Sequence, residues 1–373
     1  PEAFYIEQRL KEELNIPLMH DDQHGTAIIS AAALINALEL ADKKIDEVKM
    51  VVNGAGAAAI ACTKLYIALG LKKENVLMCD SKGVINHKRE NLTPEKLDFI
   101  AQTDISTLEQ ALEGADVFVG LSKGDVMTAK MLSSMAENPV VFALANPTPE
   151  IDYNLAIATR PDVIMATGRS DFPNQVNNVL GFPYIFRGAL DVQATGINEE
   201  MKLAAVKAIA ELAKEPVPEM VKLAYNVKNI GFGREYFIPK PFDNRLLTKV
   251  SIAVAKAAME SGISRKPIAD FEEYENQLLD RMGRDEKLIR MMQNRARSNP
   301  KRVTLGNAEE YNVLKAAQIL YEEGIAHPIL LGEKKFIKEQ MEKFGIHLDV
   351  PIVDPMDDDQ DENRKKYRET LWR

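Results

Sequence analysis

The 373-residue sequence is poor in cysteine and in aromatic side chains: it holds two cysteines and one tryptophan, and Phe, Trp and Tyr make up 6%. Two cysteines are too few for a disulfide framework. Cys62 and Cys79 fall in a predicted helix and a predicted strand, so we expect two reduced core thiols in a cytoplasmic protein. No run of about 18 apolar residues occurs, and no membrane span is expected. The sequence also lacks an excess of positive charge, since its formal net charge is −9. This argues against general binding to nucleic acid or anionic membranes.

The rest of the composition is that of a globular protein, with 46% hydrophobic and 28% charged residues. The length gives room for two domains or more and is ample for burying a core. The chain starts at Pro1 rather than at a methionine, and residues 367–373 have the pattern of a helix that continues. We therefore expect the sequence to be a piece of a longer protein.

The most informative stretch is a glycine-rich turn between a predicted strand and a predicted helix. Residues 48–52 form an apolar run of strand length, and the pattern Gly54-x-Gly56-x-x-Ala59 follows at once. The first glycine permits a sharp turn, the second lets a diphosphate approach the backbone, and Ala59 keeps the helix close to the sheet. The N–H groups at the helix start can bind an anion. A second predicted strand ends in Asp80, 21 residues after Ala59, where a carboxylate would meet the adenosine ribose, so the pattern predicts a dinucleotide site.

Further apolar runs extend this strand–helix alternation. Residues 115–120, 140–144 and 162–168 are predicted strands, so the stretch from about residue 45 to 170 alternates strand and helix. This alternation predicts an α/β fold with a Rossmann-like, doubly wound parallel sheet. Residues 198–212 and 245–259 have the pattern of long helices that cover the sheet.

Three groups of polar residues are candidates for a binding site. Asp21 and Asp22 follow a predicted short strand at residues 16–19, and these carboxylates would suit Mg²⁺ or Mn²⁺, or would simply cap the next helix. The side-chain amides of residues 174–178 either bind a ligand or cap a loop. Asn146 lies in a tight turn at the carboxyl end of a predicted strand, where ligands bind in open α/β sheets.

The last third of the chain has a different pattern. Residues 264–299 carry heavy alternating charge, which predicts an exposed connecting helix or helix pair. A second α/β unit follows, with predicted strands at residues 302–305 and 328–331 and a helix at residues 311–323 between them. We therefore predict a cofactor-binding domain at residues 1–262, a helical linker at residues 263–299 and the start of a second domain at residues 300–373.

Together, these motifs resemble those of a known family. HDDQHGTA, VNGAGAAAIA, CDSKG, FALANPTPE and QVNNVLGFPYIFRGALD are similar to the cofactor domain of malic enzymes and occur in that family's order. The bacterial two-part type, in which a malic enzyme is fused to a phosphotransacetylase-like domain, is the most similar. Residues 300–333 resemble the opening of that second domain.

The resemblance implies oxidative decarboxylation of malate to pyruvate and CO₂, with a nicotinamide cofactor and Mg²⁺ or Mn²⁺. Asp22 would bind the cation. Asp21 would not bind it directly but would lie next to the metal ligands, near the catalytic lysine. Asn146 and Asn178 would hold malate or the nicotinamide. The implied cofactor-binding residues are Thr26, Asn53, Gly54, Ala55, Gly56, Ala57, Ala58, Asp80, Ser81, Lys82 and Asn146.

The choice between NADP and NAD depends on the residues that follow the second strand. Asp80 alone favours NAD, because a carboxylate there binds the ribose 2′-OH and repels a 2′-phosphate. Ser81 and Lys82 could bind a 2′-phosphate if Asp80 turns its charge away, and further basic residues follow at Lys88, Arg89 and Lys96. The Asp80-Ser81-Lys82-Gly83 pattern also resembles that of NADP-dependent malic enzymes. We expect NADP, with NAD as the alternative.

The resemblance further implies that part of the catalytic site lies before Pro1. The family's general-base lysine, its tyrosine acid and two further acidic metal ligands would all fall there, so we expect the chain alone to be inactive. Malate and pyruvate are the expected substrate and product, acetyl-CoA is an expected effector of the second domain, and the complete protein is expected to form a homo-oligomer. The resemblance implies no nucleic-acid or membrane partner.

Three alternatives remain open on the sequence. Another nicotinamide dehydrogenase could use the same cofactor fold, but enzymes of that kind generally need no divalent cation. An acyltransferase related to phosphate acetyltransferase is a second alternative, supported by the residues from Pro300 onward. A noncatalytic binding module is the third.

Overall fold

The structure is a computed structural model that describes residues 2–225, 227, 229–282, 287–357 and 366. Two compact units are present, Pro1–Leu279 and Asp280–Arg373. The division into residues 1–262, 263–299 and 300–373 stays a prediction. Residues 283–286 of the charged segment, and the helical pattern at residues 367–373, lie outside the described residues.

The first unit is built on a six-stranded sheet. Its strands are β1 (Met50–Asn53), β2 (Val76–Asp80), β3 (Gly83–Val84), β4 (Val117–Gly120), β5 (Val140–Ala143) and β6 (Ile164–Thr167). They lie in the order β3-β2-β1-β4-β5-β6, with every neighbouring pair parallel except β2 and β3. The chain runs outward from β1 in both directions, so the topological switch point lies between β1 and β4. In such sheets ligands bind at the carboxyl ends of the strands at this point.

Twelve helices accompany this sheet in the described part of the chain. They are α1 (Glu2–Glu13), α2 (Thr26–Leu40), α3 (Ala57–Ala68), α4 (Pro94–Leu97), α5 (Leu108–Leu112), α6 (Ala129–Ser133), α7 (Tyr153–Thr159), α8 (Phe182–Asp191), α9 (Glu199–Lys214), α10 (Glu219–Ala224), α11 (Arg245–Glu260) and α12 (Phe271–Asp280). Short helical turns also occur at Asp21–Gly25, which is a π-turn, and at Lys73–Asn75 and Asn178–Leu180.

The sheet is buried on both faces because successive side chains of a strand point to opposite sides. Met50 and Val52 of β1 pack into the larger core with α2, α3, α8, α9 and α11. Val51 packs on the other face with α5, α6 and α7. This two-sided burial explains why the strands are uninterrupted apolar runs in the sequence, and it confirms the predicted α/β sheet.

The predicted strands of the sheet are all present, with one or two residues of difference at their ends. The short strand predicted at residues 16–19 is not formed. Ile16 is 55% exposed, so this apolar run has no sheet to join and the chain passes directly into the π-turn. The prediction of a strand end at Asp21 was therefore wrong.

The second unit contains a parallel three-stranded sheet in the order β7-β8-β9. Its elements are α13 (Lys287–Arg297), β7 (Lys301–Leu305), α14 (Tyr311–Glu322), β8 (Ala326–Leu331), α15 (Lys334–Phe344) and β9 (Ile352–Val353). Leu314, Leu330 and Ile337 form the centre of its own small core. The predicted strand–helix–strand unit is thus confirmed.

Both cysteines lie in the core, as expected. Cys62 and Cys79 are free and buried, and burial raises the pKa of each thiol to about 12, which keeps them protonated and unreactive. Among the described helices, none combines the length and the apolar character needed to cross a bilayer.

Candidate active site

The glycine turn lies at the switch point of the sheet. Gly54 has φ +137°, and its N–H donates to the carbonyl of Cys79 at 2.9 Å. A Cβ at this position would come within 2.6 Å of the carbonyl oxygen of Leu121, so both the backbone angle and the space require glycine. The sharp turn assigned to Gly54 from the sequence therefore has a direct structural cause.

Gly56 faces open space at the start of α3. Apart from its chain neighbours and its own helix, no atom of the described residues lies within 4 Å of the position that a Cβ would occupy there. The N-cap residue makes no side-chain hydrogen bond to the start of the helix. Ala57 and Ala58 are half-buried, whereas Ala59 is 1% exposed and packs into the core. The first N–H groups of α3 thus point to a surface where an anionic diphosphate can approach the backbone.

Asn53, at the end of β1, is turned toward the neighbouring strand. Its amide donates to Oγ of Ser122 at 2.8 Å, and the N–H of Leu121 donates to the Asn53 carbonyl at 2.9 Å. These bonds tie the glycine turn to the loop that follows β4. Ser122 was not among the predicted site residues, because nothing in the local sequence indicates that contact.

Asp80, at the end of β2, forms ion pairs with two cationic side chains. Arg89 donates to both carboxylate oxygens, Lys96 donates to Oδ2 at 2.9 Å, and the backbone N–H of Lys82 donates to Oδ1 at 2.9 Å. Burial alone would raise the pKa of Asp80, but these partners hold it well below its usual range. The side chains of Ser81 and Lys82 are exposed. The carboxylate that would repel a 2′-phosphate is therefore neutralised within the protein.

The two acidic residues of the π-turn lie in different surroundings. Asp22 is exposed, whereas Asp21 is half-buried and its Oδ1 is buried without a hydrogen-bond partner. A Cβ at Gly25 would overlap this oxygen, so the glycine makes room for the carboxylate. Among the described residues, no group of three His, Cys, Asp or Glu could hold a metal ion. The carboxylate oxygens present suit Mg²⁺ or Mn²⁺ but would supply only part of such a site.

Asn178 links the π-turn to the start of α2. Its amide nitrogen donates to Oδ2 of Asp21 at 3.0 Å and to the Asp21 carbonyl at 3.2 Å. Its amide oxygen accepts the hydroxyl of Thr26 at 3.0 Å. The π-turn and α2 also pack against α3, and the turn that contains Asn178 packs against the π-turn and α2.

The other amides of residues 174–178 have structural roles. Asn174 is 1% exposed, donates to the carbonyls of Met165 and Arg234, and accepts the N–H of Phe237. Asn177 caps the turn that contains Asn178 by accepting the N–H of Val179 at 3.0 Å. The capping alternative therefore describes these two asparagines.

Asn146 follows β5 and is exposed. A Cβ on Gly168, just after β6, would lie 2.9 Å from the Asn146 amide nitrogen, which places the turn after β5 against the end of β6. The residue before it, Ala145, donates its N–H to the buried carboxylate of Glu150 at 3.0 Å. The sequence did not single out Glu150, although it follows the Asn146 turn directly.

Comparison with known proteins gives two family matches. The malic enzyme NAD-binding domain matches residues 23–231, and phosphate acetyl/butaryl transferase matches residues 287–373. The chain is 52% identical to an NADP-dependent malic enzyme of Escherichia coli (strain K12), over 98% of this chain and 49% of that protein. It is 48% identical to an NAD-dependent malic enzyme of Rhizobium meliloti (strain 1021), over 96% of this chain and 47% of that protein.

The fold is similar to that of a solved malic enzyme. The crystal structure of the malic enzyme from Pyrococcus horikoshii Ot3 shares 37% identity and a TM-score of 0.66, covering 75% of this chain and 63% of that one. The chain spans about half the length of the two curated relatives. The malic enzyme match covers more than half of the chain, and the site residues described above fall almost entirely inside it, so the chain belongs to the malic enzyme family.

Proposed function

We propose that the full-length protein oxidises malate to pyruvate and CO₂, with NADP as the hydride acceptor and Mg²⁺ or Mn²⁺ as the metal. One observation carries the proposal. The open glycine turn and the Asp21–Asn178 hydrogen bonds lie in a single unit, of which residues 23–231 match the malic enzyme NAD-binding domain. The malic enzyme match supports malate oxidation as the main activity, rather than that of another dehydrogenase or of an acyltransferase.

The cofactor diphosphate would lie over Gly56, with the backbone N–H groups of Ala57 and Ala58 as donors. Thr26 would face the same group from the start of α2. Asn53 and Ala55 shape the turn from which α3 begins. When bound, the cation supplies Lewis-acid polarisation of the malate C2 oxygen, and the nicotinamide accepts the hydride.

Asp22 would hold the cation, since it is the exposed carboxylate of the π-turn. Asn178 would orient malate or the nicotinamide, and its hydrogen bond to Asp21 fixes the amide so that its nitrogen faces the carboxylate. Asn146 would approach the same ligands from the end of β5. The reaction also needs a general base and a general acid, and we assign neither role to a residue of this chain.

The surroundings of Asp80 support NADP over NAD. Two cations, Arg89 and Lys96, surround one carboxylate, so the group carries a net positive charge where the 2′-phosphate would lie. Lys82 is exposed, and its backbone N–H donates to Asp80. One charge pair at about 4 Å and an effective dielectric near 20 is worth roughly 4 kcal/mol before desolvation, which is enough to reverse the preference that a free carboxylate would give.

The test is the ratio of kcat/KM for NADP to that for NAD, measured on the full-length protein and on Lys82→Ala. We expect wild type to prefer NADP and the variant to lose much of that preference. A wild-type preference for NAD would overturn the choice of cofactor. An unchanged NADP preference in the variant would leave the cofactor correct and the role of Lys82 wrong.

The second unit supports a regulatory role in addition. We propose that acetyl-CoA acts on the full-length protein through the domain that begins near Pro300, because residues 287–373 match phosphate acetyl/butaryl transferase. Deleting that domain should leave malate oxidation intact and abolish any effect of acetyl-CoA on the rate. An equal response with and without the domain would place the effector site elsewhere.

We also propose that the full-length protein is a cytoplasmic homo-oligomer. The proposal is supported only by the fused malic enzymes that the chain resembles. Light scattering coupled to size-exclusion chromatography of the full-length protein measures its mass directly, and a monomer would contradict the assembly.

A further inference from the structure

Glu150 is a fully buried glutamate at the carboxyl edge of the first sheet. Its exposed fraction is 0%. One carboxylate oxygen, Oε1, accepts the backbone N–H of Ser122 at 3.2 Å, and the other, Oε2, accepts the backbone N–H of Ala145 at 3.0 Å. The side chain therefore bridges the loop after β4 and the turn after β5. The N–H of Asp125 also joins these segments farther along, by donating to the carbonyl of Pro149 at 3.0 Å.

These two segments are the loops that flank the proposed site. Ser122 lies two residues after β4, and its hydroxyl accepts the amide of Asn53 beside the glycine turn. Ala145 lies two residues after β5 and directly before Asn146. The Glu150 carboxylate thus connects the glycine turn, through Ser122, with the turn that carries Asn146.

The sequence leaves space for this carboxylate. A Cβ on Gly120, the last residue of β4, would overlap the Glu150 carboxyl group. The backbone carbonyl of Glu150 also accepts the N–H of Met127 at 2.9 Å, so the main chain on both sides of the carboxylate is fixed. Even a modest shift of Glu150 would move the loops after β4 and β5 together.

A carboxylate in this position is costly for stability. Within the described residues no Lys, Arg or His forms an ion pair with Glu150, and burial raises the pKa of its carboxyl group. Two backbone N–H groups offset part of the desolvation cost but supply no full opposite charge. A buried charge that costs stability and joins two loops beside the proposed site is the kind of group found at functional sites.

We propose that Glu150 is a positioning residue of the nicotinamide end of the site, and this proposal rests on the proposed function. By accepting the N–H groups of Ser122 and Ala145 at once, the carboxylate sets the distance between the glycine turn and Asn146. Glu150 itself touches neither cofactor nor substrate. Its effect on binding and turnover passes through the two loops.

The test is Glu150→Gln in the full-length protein. Glutamine has the same shape, but its NH₂ group must face one of the two N–H donors, so one hydrogen bond is lost and one loop moves. We expect the malate KM to rise about tenfold, with a smaller increase in the NADP dissociation constant measured by calorimetry. The melting temperature is measured beside it, because removal of a buried charge raises stability whereas the loss of one buried hydrogen bond lowers it.

Glu150→Asp is the second variant. It keeps the charge but is one methylene shorter, so it cannot reach both N–H groups, and a similar rise in malate KM is expected. The matched control is Asp116→Asn at the amino edge of the sheet, where Asp116 accepts the N–H of Lys49 at 2.8 Å and pairs with Lys43 at 2.6 Å. The control should lower the melting temperature and leave the NADP dissociation constant and malate KM unchanged.

The outcomes separate this proposal from the proposed function. If wild type neither binds NADP nor oxidises malate, the proposed function fails. If wild type does both, and Glu150→Gln and Glu150→Asp keep its KM and dissociation constant, the positioning role is overturned. A fall in melting temperature with unchanged KM would make Glu150 a purely structural residue. If Glu150→Gln gives no folded protein, the KM of Glu150→Asp decides.

Discussion

The guanidinium of Arg89 makes a bidentate contact with the carboxylate of Asp80, with N–O distances of 3.0 and 2.9 Å. Both side chains are largely buried, and Lys96 approaches the same carboxylate at 2.9 Å. An acidic residue at the end of the second strand normally repels a 2′-phosphate. Here the acid instead anchors two cations at that position, so the same residue that indicates NAD in the sequence supports NADP in the structure.

Arg89→Ala should therefore move the preference of the full-length protein toward NAD. The change leaves Asp80 with the Lys96 ammonium and the backbone N–H of Lys82 as partners, and the local charge falls by one. We expect the NADP-to-NAD ratio of kcat/KM to fall at least about tenfold, which corresponds to roughly 1.4 kcal/mol. Steady-state kinetics with both cofactors measures this ratio. Lys88→Ala is the control, because it removes the same charge from an exposed residue that pairs with Asp104, and its ratio should stay at the wild-type value.

Asp22→Asn should weaken the binding of Mn²⁺ by the full-length protein. Asparagine keeps the shape of the side chain but removes the charge from a site for a hard cation. We expect activity at saturating metal to fall by orders of magnitude, and the Mn²⁺ affinity, measured by calorimetry or paramagnetic resonance, to fall with it. A variant with wild-type affinity and rate would show that Asp22 is not a metal ligand.

Asn178→Ala should affect both kinetics and local stability. The side chain makes three hydrogen bonds that join the π-turn to α2, and their loss removes the Asn178 donor from Oδ2 and from the carbonyl of Asp21. We expect a severalfold rise in the malate KM together with about 1–2 kcal/mol of lost stability. Asn177→Ala is the control, since it removes a cap one residue away. It should cost about 1 kcal/mol and leave the KM unchanged; equal KM values in both variants would favour a structural role for Asn178.

Glu7 of α1 contacts His20 and His24 at the π-turn, and its contribution to stability should depend on pH. Burial alone would raise the pKa of Glu7, but hydrogen bonds from His24, Lys11 and the N–H of His20 lower it from 4.5 to about 2. A lowered pKa stabilises the folded state above pH 4.5, and this contribution is lost as the pH falls from 4.5 toward 2. Glu7→Gln should thus be less stable than wild type by about 1–2 kcal/mol at pH 6.

Urea unfolding of wild type and Glu7→Gln between pH 6 and about 3.5 checks this expectation. The difference in unfolding free energy should shrink as the pH falls below 4.5. The carboxylate then takes up a proton in the unfolded state, while in the folded state it stays ionised until the pH approaches 2. A difference that is constant over this interval would mean that the charge of Glu7 contributes nothing through Lys11 and His24, and that the mutation acts through packing. Lys44→Met is a suitable control, since Lys44 and its partner Glu47 are exposed and their pair should contribute little.

The sequence by itself determined the alternation of strands and helices, the position of the glycine turn and the family. These features are local: a buried parallel strand is a continuous apolar run, and Gly54 is required by the backbone angle at its own position. The same reasoning failed at residues 16–19, where an apolar run has no neighbouring strand and forms none. Burial and pairing partners, not propensity, decided that segment.

Only the tertiary structure decided how the polar residues are used. Asn178 lies 157 positions from Asp21 along the chain, and no local pattern indicates that the two are hydrogen-bonded. Among neighbouring asparagines, Asn174 braces the core and Asn178 faces the π-turn, although their sequence surroundings are alike. Glu150 was not predicted for the same reason. Arg89 and Lys96 were named from the sequence, but their pairing with Asp80 was not predicted. The burial and the partners of such a side chain depend on which strand ends become neighbours. The order of the strands in the sheet decides this, and that order forms only when the whole chain has packed.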